Sequence, residues 1–150
     1  MRIVPARRAD CPALAETSVR AFDADVDHGA PGPGGPPGYD SVSWHERALT
    51  WARVFTLSED DRPVGGVVVV PHSPTDATLG RVWLVPEAQG RGLGTQVLAE
   101  VEAMFPAVTR WTLDTPAWNA RNHRFYVSRG YRLVGRDGGD GRLFEKRVAV

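Results

Sequence analysis

Cysteine is nearly absent. Cys11 is the only one in a chain of 150 residues, so no intrachain disulfide can form and no cysteine-based zinc site can be built. Lysine is equally scarce: Lys146 stands alone and every other basic side chain is arginine. That bias, with the abundance of Ala, Gly and Pro, reads as compositional. No charge of one sign dominates either. Lys plus Arg number 18 and Asp plus Glu number 18, which removes the simplest argument for nucleic acid or an anionic membrane as a partner. No run approaches the ~18 apolar residues of a membrane span. Met1 to Asp10 has no apolar core of the kind a signal peptide carries. The four histidines show no metal-ligand spacing, so no metal is expected. These absences lead us to expect a cytoplasmic protein with no membrane partner.

What is present suffices for one domain, residues 1–150. Arg2 to Ala6 reads as a first strand. Asp10 is placed to cap a helix toward Phe22, with Leu14, Val19 and Phe22 on its apolar side. The stretch from Gly29 to Gly38 then holds four prolines and five glycines, which rules out a helix or strand there. A second helix is expected from Asp40 or Ser41 to about Trp51, with Val42, His45 and Leu49 at helical spacing. Arg53–Ser58 and Val64–Val70 read as a hairpin around Glu59–Pro63. The valine run suggests burial on both faces. Leu79–Val85 is a further strand, and Gly92–Met104 has the spacing of an amphipathic helix. Arg110–Leu113 reads as a strand and Asn122–Arg129 as a helix ending at Gly130. Tyr131–Gly135 and Arg142–Val148 close the chain around a Gly138–Gly141 turn. The order β-α-α-β-β-β-α-β-α-β-β predicts a mixed sheet with helices on both faces, an α/β or α+β fold.

The most informative segment runs from Val82 to Leu98, where a strand ends at Pro86, a loop with Gly90, Gly92 and Gly94 follows, and a helix starts. The first N–H groups of a helix have no intrahelical partner, and its dipole adds partial positive charge there. Glycines let a diphosphate approach that backbone closely. Arg91 adds a charge that could join in. A Walker A loop is excluded because no lysine follows the glycines, and a dinucleotide fingerprint fails because Thr95 stands where its third glycine belongs.

Gln89-Gly90-Arg91-Gly92-Leu93-Gly94 resembles the acyl-CoA loop Q/R-x-x-G-x-G/A of the GNAT superfamily. A second segment, Trp118 to Gly135, resembles that family's "N…fY…GF" stretch through Asn119, Tyr126, Gly130 and Tyr131, with Tyr131 where Phe is usual. The resemblance implies a mostly antiparallel sheet with one splayed parallel pair, and acetyl-CoA or a similar acyl-CoA as co-substrate. It implies acyl transfer to a primary amine, on a small molecule or a peptide, by direct attack. It also implies site roles. Leu84 and Val85 border the acyl group, with the Val85 backbone N–H holding its carbonyl. Gln89, Gly90, Arg91, Gly92, Leu93, Gly94 and Thr95 hold the diphosphate. Asn119 contacts the pantetheine arm, and Tyr126 protonates the leaving thiolate as general acid. Homodimers are frequent in the family, and a homodimer is open here by analogy alone.

The general base is not marked. Leu79–Val85 carries no carboxylate where many relatives have Glu. Asp76, His72, His28, Asp40 and Asp114 are substitutes, each also readable as a solvated loop residue. Trp118 could border the acceptor pocket. Arg121, Arg124 or Arg129 could reach the 3′-phosphate of CoA or lie on a solvated helix face. The missing carboxylate sustains a rival reading, a non-catalytic acyl-CoA-binding sensor or partner module.

Overall fold

The computed structural model describes residues 1–149. Its strands are β1 (Arg2–Pro5), β2 (Arg53–Glu59), β3 (Arg62–Pro71), β4 (Asp76–Leu84), β5 (Arg110–Pro116), β6 (Arg132–Arg136) and β7 (Gly141–Arg147). The helices are α1 (Cys11–Asp23), α2 (Val42–Trp51), α3 (Leu93–Met104) and α4 (Ala120–Ser128). The strands form one seven-stranded sheet in the order β1-β2-β3-β4-β5-β7-β6. Every neighbouring pair is antiparallel except β4–β5. The element order and the mixed, mostly antiparallel sheet match the expectation from sequence.

The tight β2–β3 hairpin turns on Asp60 and Asp61, at φ 50° and 63°, the left-handed pair that a two-residue hairpin loop demands. The valine run of β3 is buried on both faces, as its continuity suggested. Val67 and Val69 pack into the cluster formed with α3 and α4, whereas Val68 packs with α1 and α2. The second cluster centres on Trp83, whose indole N–H donates to Thr17 Oγ1 at 3.0 Å.

Two helix faces differ from expectation. Ser41 caps α2 by accepting from the Trp44 N–H at 3.0 Å, which leaves Val42 in the first turn and exposed. The buried positions are His45 and Ala48. On α1, Leu14 is fully buried but Val19 and Phe22 only half so, and Cys11, Ala15, Thr17, Ser18 and Ala21 complete the inner face.

The pairing of β4 with β5 positions the site. It spans only Asp76↔Arg110, Ala77↔Trp111 and Thr78↔Thr112. It is reinforced by the Thr78 and Thr112 hydroxyls 2.8 Å apart. Beyond Thr78 the strands part. On its other side β4 stays paired with β3 but slips register between Val68 and Val69, with Gly80 as the extra residue. A bulge of this kind bends a strand and increases its twist, and here it lies where the two parallel strands separate.

Candidate active site at the strand splay

Two cavities meet in the gap. The smaller, about 310 Å³, runs from Val82 and Leu84 along Gln89, Gly90, Gly92, Gly94 and Thr95 to Phe125 and Tyr126. The larger, about 430 Å³, lies between the ends of β4 and β5 under the Pro31–Pro36 segment and includes Asp25, Asp114, Trp118, Asn119, Asn122 and Tyr126. Val82, Phe22, Asp25, Asn122 and Tyr126 line both. The Gly/Pro-rich stretch thus forms the roof of the larger cavity. Tyr39 anchors the segment after it by donating to Asp23 Oδ1 at 2.9 Å. Arg81 holds it through a hydrogen bond to the Pro37 carbonyl and lies over the Trp44 ring at 3.8 Å. Burial lowers the Arg81 pKa to about 10, so it remains a cation at neutral pH.

The glycine loop is built for close approach. Gly90 and Gly92 have φ 74° and 79°, a region costly for a residue with a Cβ. Nothing lies within 4 Å of where such a Cβ would sit, so the space over both is open. A Cβ at Gly94 would meet the Phe125 ring at 3.2 Å, so this glycine lets α3 pack against α4. Gly92 is the N-cap of α3, and the first intrahelical bond runs from Gln96 N–H to Gly92 O. The N–H groups of Leu93, Gly94 and Thr95 therefore lack intrahelical partners at the end of the cleft. Two expected contributors behave differently. Arg91 pairs with Glu59 at 2.5 Å across the β2–β3 turn and does not line the cleft. The Leu93 side chain packs into the core, so only its backbone is offered. Gln89 donates to the Leu84 carbonyl at 2.8 Å and accepts from Arg121 at 2.8 Å.

Val85 is not free to act as the oxyanion donor that the resemblance implies. Its N–H donates to Val64 O at 2.8 Å and is consumed by the sheet. Along a strand, successive residues direct their backbone polar groups to opposite edges. Leu84, the preceding residue, therefore points away from β3. Its carbonyl meets Gln89 on that side, and its N–H faces the gap that β5 has left. Sequence could not supply the parity, which depends on where β3 pairs.

The Tyr126 segment has a structural logic of its own. Asn119 caps α4 by accepting from Asn122 N–H at 3.1 Å and is buried along the larger cavity, not the cleft. Asn122, which the motif does not mark, reaches both. At the other end Gly130, φ 98°, closes the helix. Gly130 N–H donates to Val127 O at 3.1 Å and Tyr131 N–H to Tyr126 O at 3.0 Å, the pair of bonds that defines a Schellman ending. The Tyr126–Gly130–Tyr131 spacing is thus a helix stop that clamps the Tyr126 backbone, with the Tyr131 ring 5.6 Å from its own. Burial pushes the Tyr126 phenol up to about 12, so it holds its proton at neutral pH.

Of the substitute bases, only Asp114, itself an exposed residue, lines the larger cavity; Trp118 lines it too. His72 and Asp76 are ruled out by position. Asp76 opens β4, and eight residues of strand, about 26 Å, separate it from Leu84. It pairs with Arg110 at 3.4 Å, and His72 is beside it, hydrogen-bonded to Thr78. His28 and Asp40 are exposed residues flanking the roof and do not line the cavity. Asp25, unmarked in the sequence, does. It is buried, bonded to Arg121 at 3.3 Å, and desolvation raises its pKa against the pull of Arg121 and His28. Arg121 is therefore tied to Gln89 and Asp25, while Arg124 is exposed. Desolvation, then a hydrogen bond and the charge of Asp137, raise Asp114 to about 6.

A family model described as the acetyltransferase (GNAT) family matches residues 21–131. The chain belongs to the GNAT acetyltransferase family. The PaiA N-acetyltransferase of Thermoplasma acidophilum, solved with coenzyme A, superposes with a TM-score of 0.83 at 16% identity, covering 98% of each chain. An acetyltransferase of Thermus thermophilus gives 0.81 at 24% identity, over 98% of this chain and 96% of that one. The ribosomal-protein-S18-alanine N-acetyltransferase of Escherichia coli gives 0.79 at 18% identity, over 99% and 94%. In sequence, the uncharacterized protein YrkN of Bacillus subtilis is 33% identical over 85 residues, 55% of this GNAT chain. Those residues span 46% of YrkN, about half its length. No helix among the described residues is long and apolar enough to cross a membrane.

Proposed function

We propose that this GNAT protein transfers an acetyl or other short acyl group from acyl-CoA to a primary amine by direct attack in a ternary complex. The observation that carries the reading is Tyr126, which stands where the glycine-loop cleft meets the larger cavity. A thioester in the cleft and an amine in the cavity would meet beside its hydroxyl. The open space over Gly90 and Gly92 fits a diphosphate, which the α3 N–H groups would bind. The Leu84 N–H is set to donate a hydrogen bond to the acyl oxygen as negative charge develops on it. Tyr126, held protonated, supplies a proton to the departing sulfur. Asn119 fixes the start of the helix that carries Tyr126, and Asn122 faces both partners. Gln89, locked between Leu84 and Arg121, sets the loop against the strand end.

Solved neighbours include an enzyme named for a ribosomal-protein alanine, so peptide amines belong in the acceptor screen beside small amines. The test is thiol release from acetyl-CoA in the presence of amines, amino acids, polyamines and peptides, with mass spectrometry of the product. Acetyl transfer to at least one is expected. Tight acyl-CoA binding without transfer to any would favour the non-catalytic reading, which the lack of a carboxylate on Leu79–Leu84 keeps alive.

A further inference from the structure

An ammonium must lose a proton before its nitrogen can attack, and the stretch of β4 facing the cavity offers no group to take it. The opposite wall does. Asp114 lies on β5 two residues beyond Thr112, the last residue paired with β4, and so borders the opened gap; it lines the larger cavity with Tyr126. Its neighbour is Asp137, at the entrance to the β6–β7 turn. A Cβ on Gly141 would collide with both Asp137 Oδ2 and Asp114 Oδ1. The two carboxyl groups therefore meet over this glycine, which must be glycine for them to do so.

Two carboxylates in contact cannot both be ionised cheaply. The backbone decides which keeps the proton. Asp137 Oδ1 accepts from Gly139 N–H at 2.9 Å and Gly141 N–H at 3.2 Å, bonds that stabilise its anion. Asp137 is correspondingly held below the ordinary carboxyl range, first by its bond to Asp114 and then by these amides. The shared proton belongs to Asp114 at acid pH and leaves near neutrality. The ionisable residues on the neighbouring elements are Asp140 in the same turn, Arg142 on β7 opposite Thr115, Arg81 on β4 and His123 on α4. Arg81 is committed to Pro37 and Trp44, and His123 to the Pro116 carbonyl at 3.0 Å. Asp25, the other carboxylate of the cavity, is committed to Arg121.

Resting on the acyl-transfer reading above, we propose that Asp114 is the general base that deprotonates the acceptor ammonium, with Asp137 as the residue that positions and tunes it. The ammonium passes one proton to Asp114, which releases it to solvent. The freed nitrogen pair forms the C–N bond to the thioester carbonyl carbon, and the C–S bond breaks. Tyr126 protonates the sulfur, and the second proton lost by the nitrogen restores Tyr126. One amide, one thiol and one released proton result.

The test compares wild type, Asp114→Asn and Asp137→Asn, each checked by thermal melting. The probes are acetyl-CoA with n-propylamine, an ammonium at pH 7, and with trifluoroethylamine, which is neutral there. In Asp114→Asn the ratio of kcat/KM for propylamine to that for trifluoroethylamine should fall at least ~100-fold, within the range of general-base catalysis. Acetyl-CoA affinity should stay within about threefold, since Asp114 is outside the cleft. In Asp137→Asn the acid limb of the propylamine pH–rate profile should move to lower pH, because removing the neighbouring charge lets Asp114 ionise more readily. Carboxyl-carbon NMR of the wild type should place the Asp114 midpoint near pH 6, falling in Asp137→Asn. An unchanged amine ratio, or an Asp114 midpoint in the ordinary carboxyl range, overturns the assignment. Should wild type bind acetyl-CoA but acylate neither probe, the NMR midpoints decide. Failure of wild type to bind acetyl-CoA overturns instead the acyl-transfer reading beneath it.

Discussion

Gly92 offers the sharpest separation between a residue needed for folding and one needed for binding. It caps α3 at φ 79°, and a Cβ there would touch nothing. Substitution by alanine therefore costs only backbone strain, about 1–2 kcal/mol, or roughly 3–6 °C in Tm for a chain of this size. Asn and Asp tolerate the left-handed region better than Ala, so Gly92→Asn and Gly92→Asp should melt no lower than Gly92→Ala. They differ from each other by one charge. At about 5 Å from a bound diphosphate, with an effective dielectric of about 20, one pair of like charges repels by roughly 3 kcal/mol. That energy corresponds to a roughly 200-fold weaker affinity. The assay is the shift in Tm with increasing coenzyme A, which yields Kd by linkage. The Asn variant should bind more weakly than wild type, and the Asp variant far more weakly again, with the gap narrowing as salt is added. Equal affinity of the Asn and Asp variants, or wild-type affinity in both, would refute the placement of the diphosphate.

Tyr126→Phe should lower kcat by ~10²–10³-fold with the KM for acyl-CoA within a few-fold, as measured by thiol release, because only the proton donor is removed. Gly66→Val should destabilise by about 1–3 kcal/mol in urea melts without a specific effect on coenzyme A binding. Any Cβ at 66 meets the Trp83 ring and Leu14, and an overfilled core costs about that much. His45 is fully buried, with Nδ1 against the Ser41 carbonyl at 2.7 Å, and burial lowers its pKa below the ordinary value. Well above the unfolded value of about 6.5 it is neutral in folded and unfolded chains alike and contributes no pH dependence. As pH falls through that value, and until the lower folded value is reached, the unfolded chain takes up a proton that the folded protein refuses. Stability should then fall by up to about 1.4 kcal/mol per pH unit, and urea midpoints at pH 7.5 and 5.5 for wild type and His45→Asn would measure its share.

Local signals were legible where one segment contains both cause and effect. The strand–loop–helix unit from Val82 to Leu98, the left-handed glycine after α4 and the hairpin at Asp60–Asp61 are all set by nearby residues. What escaped was set across the sheet. Leu84 rather than Val85 offers its N–H to the gap because Val85 pairs with Val64. β4 begins at Asp76 because Arg110 stands opposite it, which also takes Asp76 out of the site. Arg91 reads as a phosphate ligand until Glu59 of the neighbouring hairpin is found beside it. One miss was local: the Ser41 cap leaves Val42 in the first turn of α2 and exposed, while His45 turns inward as its spacing suggested. Asp25 and Asp137 sit in a short turn and a glycine-rich turn with no pattern of their own. Only folding brings one beside Arg121 and the other beside Asp114.

Everything proposed for this protein rests on acyl-CoA binding at the loop from Gln89 to Thr95. Calorimetric titration of the purified chain with acetyl-CoA tests it most directly, with NAD and ATP as controls. Micromolar binding of acetyl-CoA is expected, with none comparable for the controls. A folded protein that binds none of the three, or binds all three alike, would contradict it.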